Sequence, residues 1–237
     1  MSPIDGRGPV RVDMERVRRV FGGQLLGASH NGLEGSSVGP AANERVDHHP
    51  GTLHAAFRTS PPGRHAVVAA ILRDAQPGAE VLLIRRAEHE LDPWSGHMAL
   101  PGGHGDAADA SLVATAVREI SEEVGLDLLG HASLLGTLPE VVAHPARFSI
   151  YPLVFALEAG HEPEANPAEV QEVVWAGLDH LRSPAAKSSH ELSVKRERHR
   201  FPAFDVGGRI VWGLTYRILN HLIDLLEAGA AEEPVRR

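Results

Sequence analysis

The sequence predicts an α/β fold, because apolar runs typical of β-strands lie on both sides of one amphipathic helix. Residues 66–72 and 81–84 precede that helix, and residues 134–138, 148–157 and 170–178 follow it. Short apolar runs between turn-forming residues indicate strands, whereas apolar residues at intervals of three and four indicate a helix. The order strands, helix, strands therefore predicts one α/β unit with a single core.

The first two runs predict a β-hairpin, and the C-terminal region predicts a second helix. AVVAAIL at 66–72 and VLLI at 81–84 are separated by Gln-Pro-Gly at 76–78, which favours a turn. Over residues 214–227, leucine and isoleucine recur at helical spacing, and Gly229 follows as a residue that can end the helix. We expect this helix to pack on the sheet.

Length and charge restrict the classes of partner. A chain of 237 residues is long enough for one domain with a full core and an extra segment. The formal net charge of -8 argues against a nucleic-acid partner, because such binding depends on clustered Lys and Arg. A small phosphorylated substrate is compatible with this charge when divalent cations neutralise carboxylates and phosphates together.

The domain organisation follows from composition. Residues 1–62 are predicted to hold a short basic helix at 12–21 and a flexible arm or linker rich in Gly, Ser, Asn and Pro, residues 63–230 the folded domain, and residues 231–237 a tail. The absence of cysteine excludes thiol nucleophiles and zinc-thiolate sites. Residues 1–14 lack the apolar region of a signal peptide, and no apolar run is long enough to cross a bilayer. We therefore expect a cytoplasmic protein without a membrane partner.

Residues 100–126, LPGGHGDAADASLVATAVREISEEVGL, are the segment most informative about chemistry. A proline and three glycines at its start predict a turn, and Asp109 is a plausible N-cap. Residues 110–124 contain no Gly or Pro and predict a helix, and Gly125 can adopt the left-handed conformation that ends it.

One side of this helix is predicted to be buried and an adjacent arc to be acidic. At about 100° per residue, five apolar residues share one side: Leu112, Ala116, Val117, Ile120 and Val124. Glu119, Glu122 and Glu123 fall within an arc of about 100° beside that side. Their mutual repulsion suits hard divalent cations such as Mg²⁺, which prefer oxygen ligands. Arg118 can hydrogen-bond to and orient one of these carboxylates.

An acidic helix face in contact with solvent is the alternative interpretation of these glutamates. EISEE alone would favour that alternative. The adjoining arginine, the terminal glycine and the upstream Gly-Gly turn instead favour a functional site, because such residue types rarely occur at these offsets by chance.

The segment resembles the Nudix box. REISEEVGL at 118–126 matches the second half of that motif, REUXEEXGU with U aliphatic, at every specified position. In the first half, Gly103 is followed after five residues by Asp109 instead of Glu, and one residue is extra before Arg118. This spacing, with Asp106 in GGxxDxxD, is similar to the coenzyme A diphosphatase branch.

Other parts of the chain also resemble that branch. LLIRR at 82–86, NPAEV at 166–170 and VWGLTYRIL at 211–219 are similar to its strand entering the site, its NPxEV stretch and the start of its C-terminal helix. The branch carries HxGQxxFPGG before the glycine turn, whereas residues 94–103 of this chain read WSGHMALPGG. Taken with the box, the three similar stretches extend the resemblance over about residues 65–228, and residues 94–100 depart from it.

The resemblance implies a Nudix α/β/α sandwich, with a mixed sheet between helices and the box as a loop-helix-loop. It implies Mg²⁺ or Mn²⁺ as cofactor and a small nucleotide diphosphate as substrate, and it leaves a homodimer open. The residues so implied are Arg118, Glu119 and Glu122 for catalysis, Glu119, Glu122, Glu123 and Gly103 for the metal, and Arg85, Arg86, His97 and Gly102 for the substrate.

The expected activity is hydrolysis of a diphosphate bond in a nucleoside diphosphate linked to another moiety, with coenzyme A-like molecules as first choice. ADP-ribose or dinucleotides are the second choice, a nucleotide-sensing domain without turnover is a third, and removal of RNA caps is disfavoured by the acidic balance. Four glutamates stay open as the general base: Glu162, Glu164, Glu169 and Glu172. His97 and Trp94 are each either contacts to a base or phosphate, or packed side chains.

Overall fold

The computed structural model describes residues 11–26, 61, 64–89, 94–143, 148–194 and 197–231. The arm expected after the N-terminal helix, and nearly all of the tail expected at 231–237, lie outside these residues. Five described helices have the bounds α1 Met14–Leu26, α2 Leu112–Val124, α3 Leu128–His131, α4 Leu178–Arg182 and α5 Gly213–Ala231. A 3₁₀ turn spans Pro184–Ala186.

The described strands form two sheets. Eight strands belong to the larger sheet: β1 His65–Arg73, β2 Glu80–Arg86, β3 Met98–Ala99, β4 Gly102–His104, β5 Ala132–Thr137, β6 Val141–Ala143, β7 Phe148–Leu157 and β8 Val170–Gly177. Three strands form the smaller sheet: β9 Lys187–Val194, β10 Glu197–Val206 and β11 Arg209–Trp212.

Strand β1 lies at the centre of the larger sheet. It pairs in parallel with β7, from His65 opposite Ser149 to Leu72 opposite Ala156, and antiparallel with β2 and β4. Strands β3 and β8 extend the sheet from β2, and β5 and β6 extend it from β7. Parallel strands need a crossover connection, and the chain between β1 and β7 contains α2. The sheet is therefore mixed, as the resemblance implies.

Apolar side chains cover both faces of the larger sheet. Strand residues alternate between faces, so Leu82 and Ile84 of β2 lie on the α2 side, whereas Val81 and Leu83 lie in the layer formed with α1, α5 and the smaller sheet. The α2 side is closed by four of the five helix residues predicted to be buried: Leu112, Ala116, Ile120 and Val124. The α/β/α sandwich is confirmed.

Most of the predicted elements are present with small shifts in their bounds. Strands β1 and β2 form the expected hairpin, with Leu72 opposite Val81, and α5 covers the predicted C-terminal helix. The prediction that Asp109 caps the central helix is wrong. The N-cap is Ser111, whose hydroxyl accepts a hydrogen bond from the Ala114 amide at 3.1 Å, so the helix begins at Leu112 and not at 110.

Helix α1 shares the core of the domain, although it lies before the boundary expected at residue 63. Val17 and Phe21 are buried. The buried Arg16 donates through Nε and Nη2 to the Leu226 carbonyl of α5, at 3.2 and 2.7 Å. The Ala79 amide donates to the Val12 carbonyl at 2.8 Å. The side chain of Arg16 therefore links α1 to α5 by hydrogen bonds.

Candidate functional site

The turn before α2 lies flat against β1 because two of its residues are glycine. Gly102 pairs with Val68 and Gly103 pairs with Val67. Gly102 has φ +137°, and a Cβ atom there would lie 2.7 Å from the Val68 Cα. Glycine adopts positive φ without the steric penalty of a side chain. Any other residue at 102 would push the turn off the strand.

The turn and α2 meet where the helix carries its carboxylates. The Gly102 amide donates to Glu123 Oε2 at 2.7 Å. A Cβ atom at Gly103 would lie 2.5 Å from Glu119 Cδ, so the Glu119 carboxylate occupies the space that a side chain at 103 would need. The glycine turn therefore receives Glu119 and Glu123, which lie one helical turn apart.

Arg118 lies between two of the three glutamates. Its Nη1 donates to Glu119 Oε1 at 2.8 Å and to Glu122 Oε2 at 3.2 Å. Its Nη2 donates to the His104 carbonyl at 2.9 Å, which ties the helix to β4. The predicted role of Arg118 in orienting a carboxylate therefore has a geometric basis at both Glu119 and Glu122.

Asp109 holds Arg118 in this position. Its Oδ1 accepts from Arg118 Nε at 3.2 Å, and its Oδ2 accepts from Arg118 Nη2 and Thr115 Oγ1, each at 2.9 Å. The hydrogen bond from Arg118 is the main cause that lowers the Asp109 pKa to about 2, from an ordinary value of 3.8. The same pair raises the pKa of Arg118. Asp109 therefore fixes the guanidinium beside the glutamates.

The two glutamates at the turn carry perturbed pKa values. Glu123 is 3% exposed, and burial raises its pKa to about 7, with a further rise from the charge of Glu119 and an opposing effect of the Gly102 amide. Burial also raises the pKa of Glu119, with Arg118 opposing the rise and Glu122 adding to it. Negative charge at this position is incompletely compensated by the protein's own groups.

The donor set fits a divalent cation, although it is not already closed around one. In the part of the chain that the structure describes, no three His, Asp or Glu side chains form a ready group of metal ligands, and Arg118 lies between Glu119 and Glu122. Carboxylates and backbone carbonyls are the ligands that Mg²⁺ prefers. The buried Glu123 and the partly buried Glu119, both with raised pKa values, lie beside a glycine turn without side chains and form such a set.

The two arginines at the end of β2 lie on opposite faces of the sheet. Arg86 continues the face of Leu82 and Ile84, and its charge lowers the pKa of Glu123, which is otherwise raised. Arg85 lies on the other face, where its Nε is 3.4 Å from Glu172 Oε2. The structure therefore brings Arg86 to the glutamates and does not bring Arg85 there.

Glu172 also forms an ion pair with a residue of the smaller sheet. The guanidinium of Arg209 in β11 donates to the Glu172 carboxylate through Nε at 2.9 Å and through Nη2. This pairing lowers the pKa of Glu172, with Arg209 as the main cause and Arg85 as a further one. Glu172 is thus occupied by two arginines away from the glycine turn.

The segment after β7 closes the C-terminal end of α2. The Asn166 side-chain amide donates to the Glu122 carbonyl at 3.1 Å, and its backbone amide donates to the Glu123 carbonyl at 2.9 Å. The same side chain donates to Glu169 Oε1 at 3.3 Å. Carbonyls at the end of a helix lack hydrogen-bond donors within the helix, and Asn166 supplies two such donors. It also places Glu169 beside the glutamates of α2.

His97 lies in an aromatic cluster at the edge of the larger sheet. We define the aromatic shelf as Trp94, His97, His190, Phe201 and Trp212. The His97 ring centroid is 5.9 Å from that of Trp94 and 5.4 Å from that of Trp212. His190 stacks on Trp212 with a centroid distance of 4.2 Å. The sequence pattern singled out Trp94 and His97 but not the cluster, because β9, β10 and β11 bring the other three residues to them from a distant part of the chain.

Comparison with known proteins identifies the family. The Nudix domain family matches residues 63–196. A Nudix hydrolase of Photorhabdus laumondii described as uncharacterized, NudL, is 31% identical over 166 residues, which are 70% of this chain and 86% of that protein. NudL of Yersinia pestis is 32% identical over 174 residues, 71% of this chain and 82% of that protein.

Solved structures are also similar. The Nudix hydrolase RenU of M. smegmatis is 18% identical and covers 76% of this chain and 91% of its own, with a TM-score of 0.47. The Nudix domain of Shewanella oneidensis NrtR, solved with ADP ribose, is 26% identical and covers 55% of this chain and 81% of its own, with a TM-score of 0.39.

The central sheet, the glycine turn and the acidic helix define an α/β protein with a carboxylate-rich site, and the chain belongs to the Nudix family. It is a Nudix hydrolase. Members of this family generally use Mg²⁺ or Mn²⁺ and act on small nucleotide diphosphates. Among the described residues, no helix is long and apolar enough to span a membrane.

Proposed function

We propose that this Nudix hydrolase cleaves the diphosphate bond of a nucleoside diphosphate linked to another moiety, with coenzyme A or an acyl derivative as the preferred substrate. The products from coenzyme A are adenosine 3',5'-bisphosphate and phosphopantetheine. Water adds to one phosphorus atom, and the bridging phosphorus-oxygen bond breaks. The contact between the glycine turn and the glutamates of α2 carries this proposal.

That contact supports hydrolysis because it gathers acidic groups without a side chain to block them. Glu123 is aligned by the Gly102 amide at 2.7 Å, and Glu119 lies against Gly103. Phosphoryl-type transfer depends mainly on positioning and charge stabilisation. A solvated acidic helix face would not bury Glu123 to 3% exposure or direct it at a backbone amide.

Glu119, Glu122 and Glu123, with a carbonyl of the Gly102–Gly103 turn, would hold the divalent cation. When bound, the cation neutralises the diphosphate, polarises a phosphorus-oxygen bond and lowers the pKa of the attacking water. Arg118 keeps Glu119 and Glu122 in place through its two hydrogen bonds. Asp109 in turn prevents the guanidinium from turning away.

Glu169 is our choice as the general base among the four later glutamates. Its charge raises the pKa of both Glu119 and Glu123, so it lies close to the carboxylate site. Glu162 is paired with Arg73 at 2.9 Å, and Glu172 is paired with arginines on the other side of the sheet. A base on this loop would accept the proton of the attacking water at its carboxylate oxygen.

Two substrate classes remain to be separated by experiment. The box spacing and the likeness at 166–170 and 211–219 support coenzyme A. The different residues at 94–100 support the second choice, ADP-ribose or a related dinucleotide. We expect coenzyme A to have the higher kcat/KM, with ADP-ribose, NADH and nucleoside triphosphates below it.

A product assay tests this order. The full chain is incubated with each compound and Mg²⁺ or Mn²⁺, and the products are separated by chromatography. Adenosine 3',5'-bisphosphate from coenzyme A would support the first choice. Intact coenzyme A beside cleaved ADP-ribose would reverse the order, and EDTA should stop either reaction.

Substitution of the glutamates separates an enzyme from a nucleotide sensor. Glu122→Gln and Glu123→Gln remove one charge each and keep the side-chain shape. We expect a fall in kcat of at least about 10²-fold for Glu123→Gln, because a cation ligand supplies charge stabilisation of several kcal/mol. Glu158→Gln, at an exposed position outside the set of base candidates, serves as the control. Nucleotide binding without metal-dependent hydrolysis in the unmodified chain would indicate a sensor.

The role of Glu169 has its own test. Glu169→Gln should lower kcat by about 10²- to 10⁴-fold and leave KM nearly unchanged. Glu162→Gln is the matched control on the same segment. Equal rates for Glu169→Gln and the unmodified chain would eliminate Glu169 as the base.

A further inference from the structure

The aromatic shelf is built from four segments, namely the loop before β3 and the three consecutive strands β9, β10 and β11. In the smaller sheet, His190 lies opposite Phe201, and Trp212 lies opposite Ala203. These residues occupy the same face, because directly opposed residues point the same way and successive residues of a strand alternate. The other face of the smaller sheet carries the buried Phe204 and packs into the core. Trp94 and His97 meet the first face from the loop before β3.

The shelf is apolar and aromatic but is not fully buried. Trp94 is 53% exposed, and His97, His190, Phe201 and Trp212 are each partly exposed. The rings meet at angles between 24° and 70°, so they form a stepped surface. A surface of this composition offers stacking faces beside imidazole nitrogens.

The shelf adjoins the carboxylate site through Arg86. The Arg86 amide donates to the His97 carbonyl at 3.1 Å, and the Gly96 amide donates to the Arg86 carbonyl at 3.2 Å. The side chain of Arg86 contributes positive charge at Glu123. One residue therefore borders both the shelf and the glutamates, and its charge suits a phosphate lying between them.

We propose that the aromatic shelf binds the purine base of the substrate, with Trp94 as the stacking residue. This rests on the proposed function, because the diphosphate of the same molecule would extend past Arg86 toward the glutamates. A purine has two flat faces for Trp94, and it has ring nitrogens and amino groups that the imidazole of His190 can pair with. Stacking on an aromatic ring is favourable for every base, whereas base-edge contacts to imidazole select among them.

A binding comparison tests the shelf without requiring hydrolysis. AMP and ribose 5-phosphate carry the same sugar phosphate and differ by the base, so the ratio of their Kd values reports contacts to the base. Each is titrated into the full chain with EDTA present and monitored by calorimetry. We expect AMP to bind at least tenfold more tightly than ribose 5-phosphate.

Three variants test whether the preference for AMP over ribose 5-phosphate arises from the aromatic shelf. Trp94→Ala should reduce the AMP preference to threefold or less, and Trp94→Phe should retain most of it, because phenylalanine can still stack. Trp175→Phe is the matched control. Trp175 lies on β8, where Arg73 covers its ring at 4.0 Å from the centroid, and its substitution should leave the preference unchanged.

The outcomes distinguish this inference from the proposed hydrolysis. Equal binding of AMP and ribose 5-phosphate, or a preference that persists in Trp94→Ala, would overturn the shelf even if the chain hydrolyses coenzyme A. In that case the cluster only packs β3 against the smaller sheet. A Trp94-dependent preference in a chain that hydrolyses none of the diphosphates would support the shelf and refute the hydrolysis.

Discussion

Replacement of Asp109 with asparagine tests how firmly the protein holds Arg118. Asparagine keeps the shape of the side chain but removes its charge and turns one acceptor into a donor facing Arg118 and Thr115. A fall in pKa from 3.8 to about 2 corresponds to about 2 kcal/mol of folding free energy at neutral pH. The side chain of Asp109 is 7% exposed, but that of its partner Arg118 is 31% exposed, so solvent screens part of this interaction. Asp109→Asn should therefore be less stable by about 1–2 kcal/mol at pH 7.

The pH dependence of this loss has a definite sign. The folded state lowers the Asp109 pKa, so its stabilisation is complete above the unfolded value of 3.8 and is lost as pH falls toward about 2. Urea unfolding followed by circular dichroism at pH 7 and at steps below pH 4 measures both the size and the window. The denaturation midpoint should fall with an unchanged slope.

A matched variant isolates the pairing with Arg118. Asp106 is exposed, and its Oδ1 accepts from the Ala108 amide at 2.8 Å, a contact that asparagine can keep. Asp106→Asn should change stability by less than about 0.5 kcal/mol. The reasoning is refuted if Asp109→Asn and Asp106→Asn are equally stable at pH 7, or if the gap between Asp109→Asn and the unmodified chain persists at pH 2.

Further substitutions examine the glycine turn and the link between the chain ends. Gly103→Ala places a methyl group 2.5 Å from Glu119 Cδ, so kcat in a steady-state assay should fall at least about 10²-fold. Gly177→Ala is the control and should retain activity, because its added Cβ would have no neighbouring atom closer than 3.8 Å. Arg16→Met removes both donors to the Leu226 carbonyl and should cost about 2 kcal/mol in urea unfolding while kcat stays unchanged. An equal loss of activity in both glycine variants, or unaltered stability in Arg16→Met, would contradict these expectations.

Local patterns were sufficient for the central part of the fold. The period of the apolar residues predicted α2 and its buried side, and Gly125 ends the helix in the left-handed conformation at φ 64°. The runs at 66–72 and 148–157 predicted β1 and β7, because buried strands are continuous apolar stretches. These features depend on residues close together in the chain, so the sequence contains them directly.

The smaller sheet could not be predicted in the same way. Strand β9 reads KSSHELSV, with few apolar residues, and the first four residues of β10 are exposed. Such strands are stabilised by pairing with each other, as between Phe201 and His190, and by the buried Phe204 on one face. Contacts of this kind depend on register, which periodicity does not reveal.

In the candidate site too, features set by local spacing were predictable, whereas features set by contacts between distant segments were not. Helical spacing predicted that Glu119, Glu122 and Glu123 lie together, but burial of Glu123 against the Gly102 amide depends on how the turn crosses β1. The placement of Arg85 on the opposite face follows from strand alternation, and the same alternation was available in LLIRR. The role of Asp109 in holding Arg118 required the actual path of the turn, because an N-cap was equally compatible with its position.

The contact between α1 and α5 separates the limits of the catalytic module from those of the folding unit. Phe21 of α1 fills the space over Gly136, where an added Cβ would lie 2.8 Å from the phenylalanine ring. A fragment restricted to residues 63–196 would keep every glutamate discussed above. It would lack α1 and α5, whose apolar side chains cover one side of the larger sheet. Such a fragment would carry the residues for diphosphate chemistry yet expose a surface prone to self-association. In the whole chain the carboxylate site lies in the middle of the sequence, while α1 and α5, from opposite ends of the described residues, cover that side of the larger sheet.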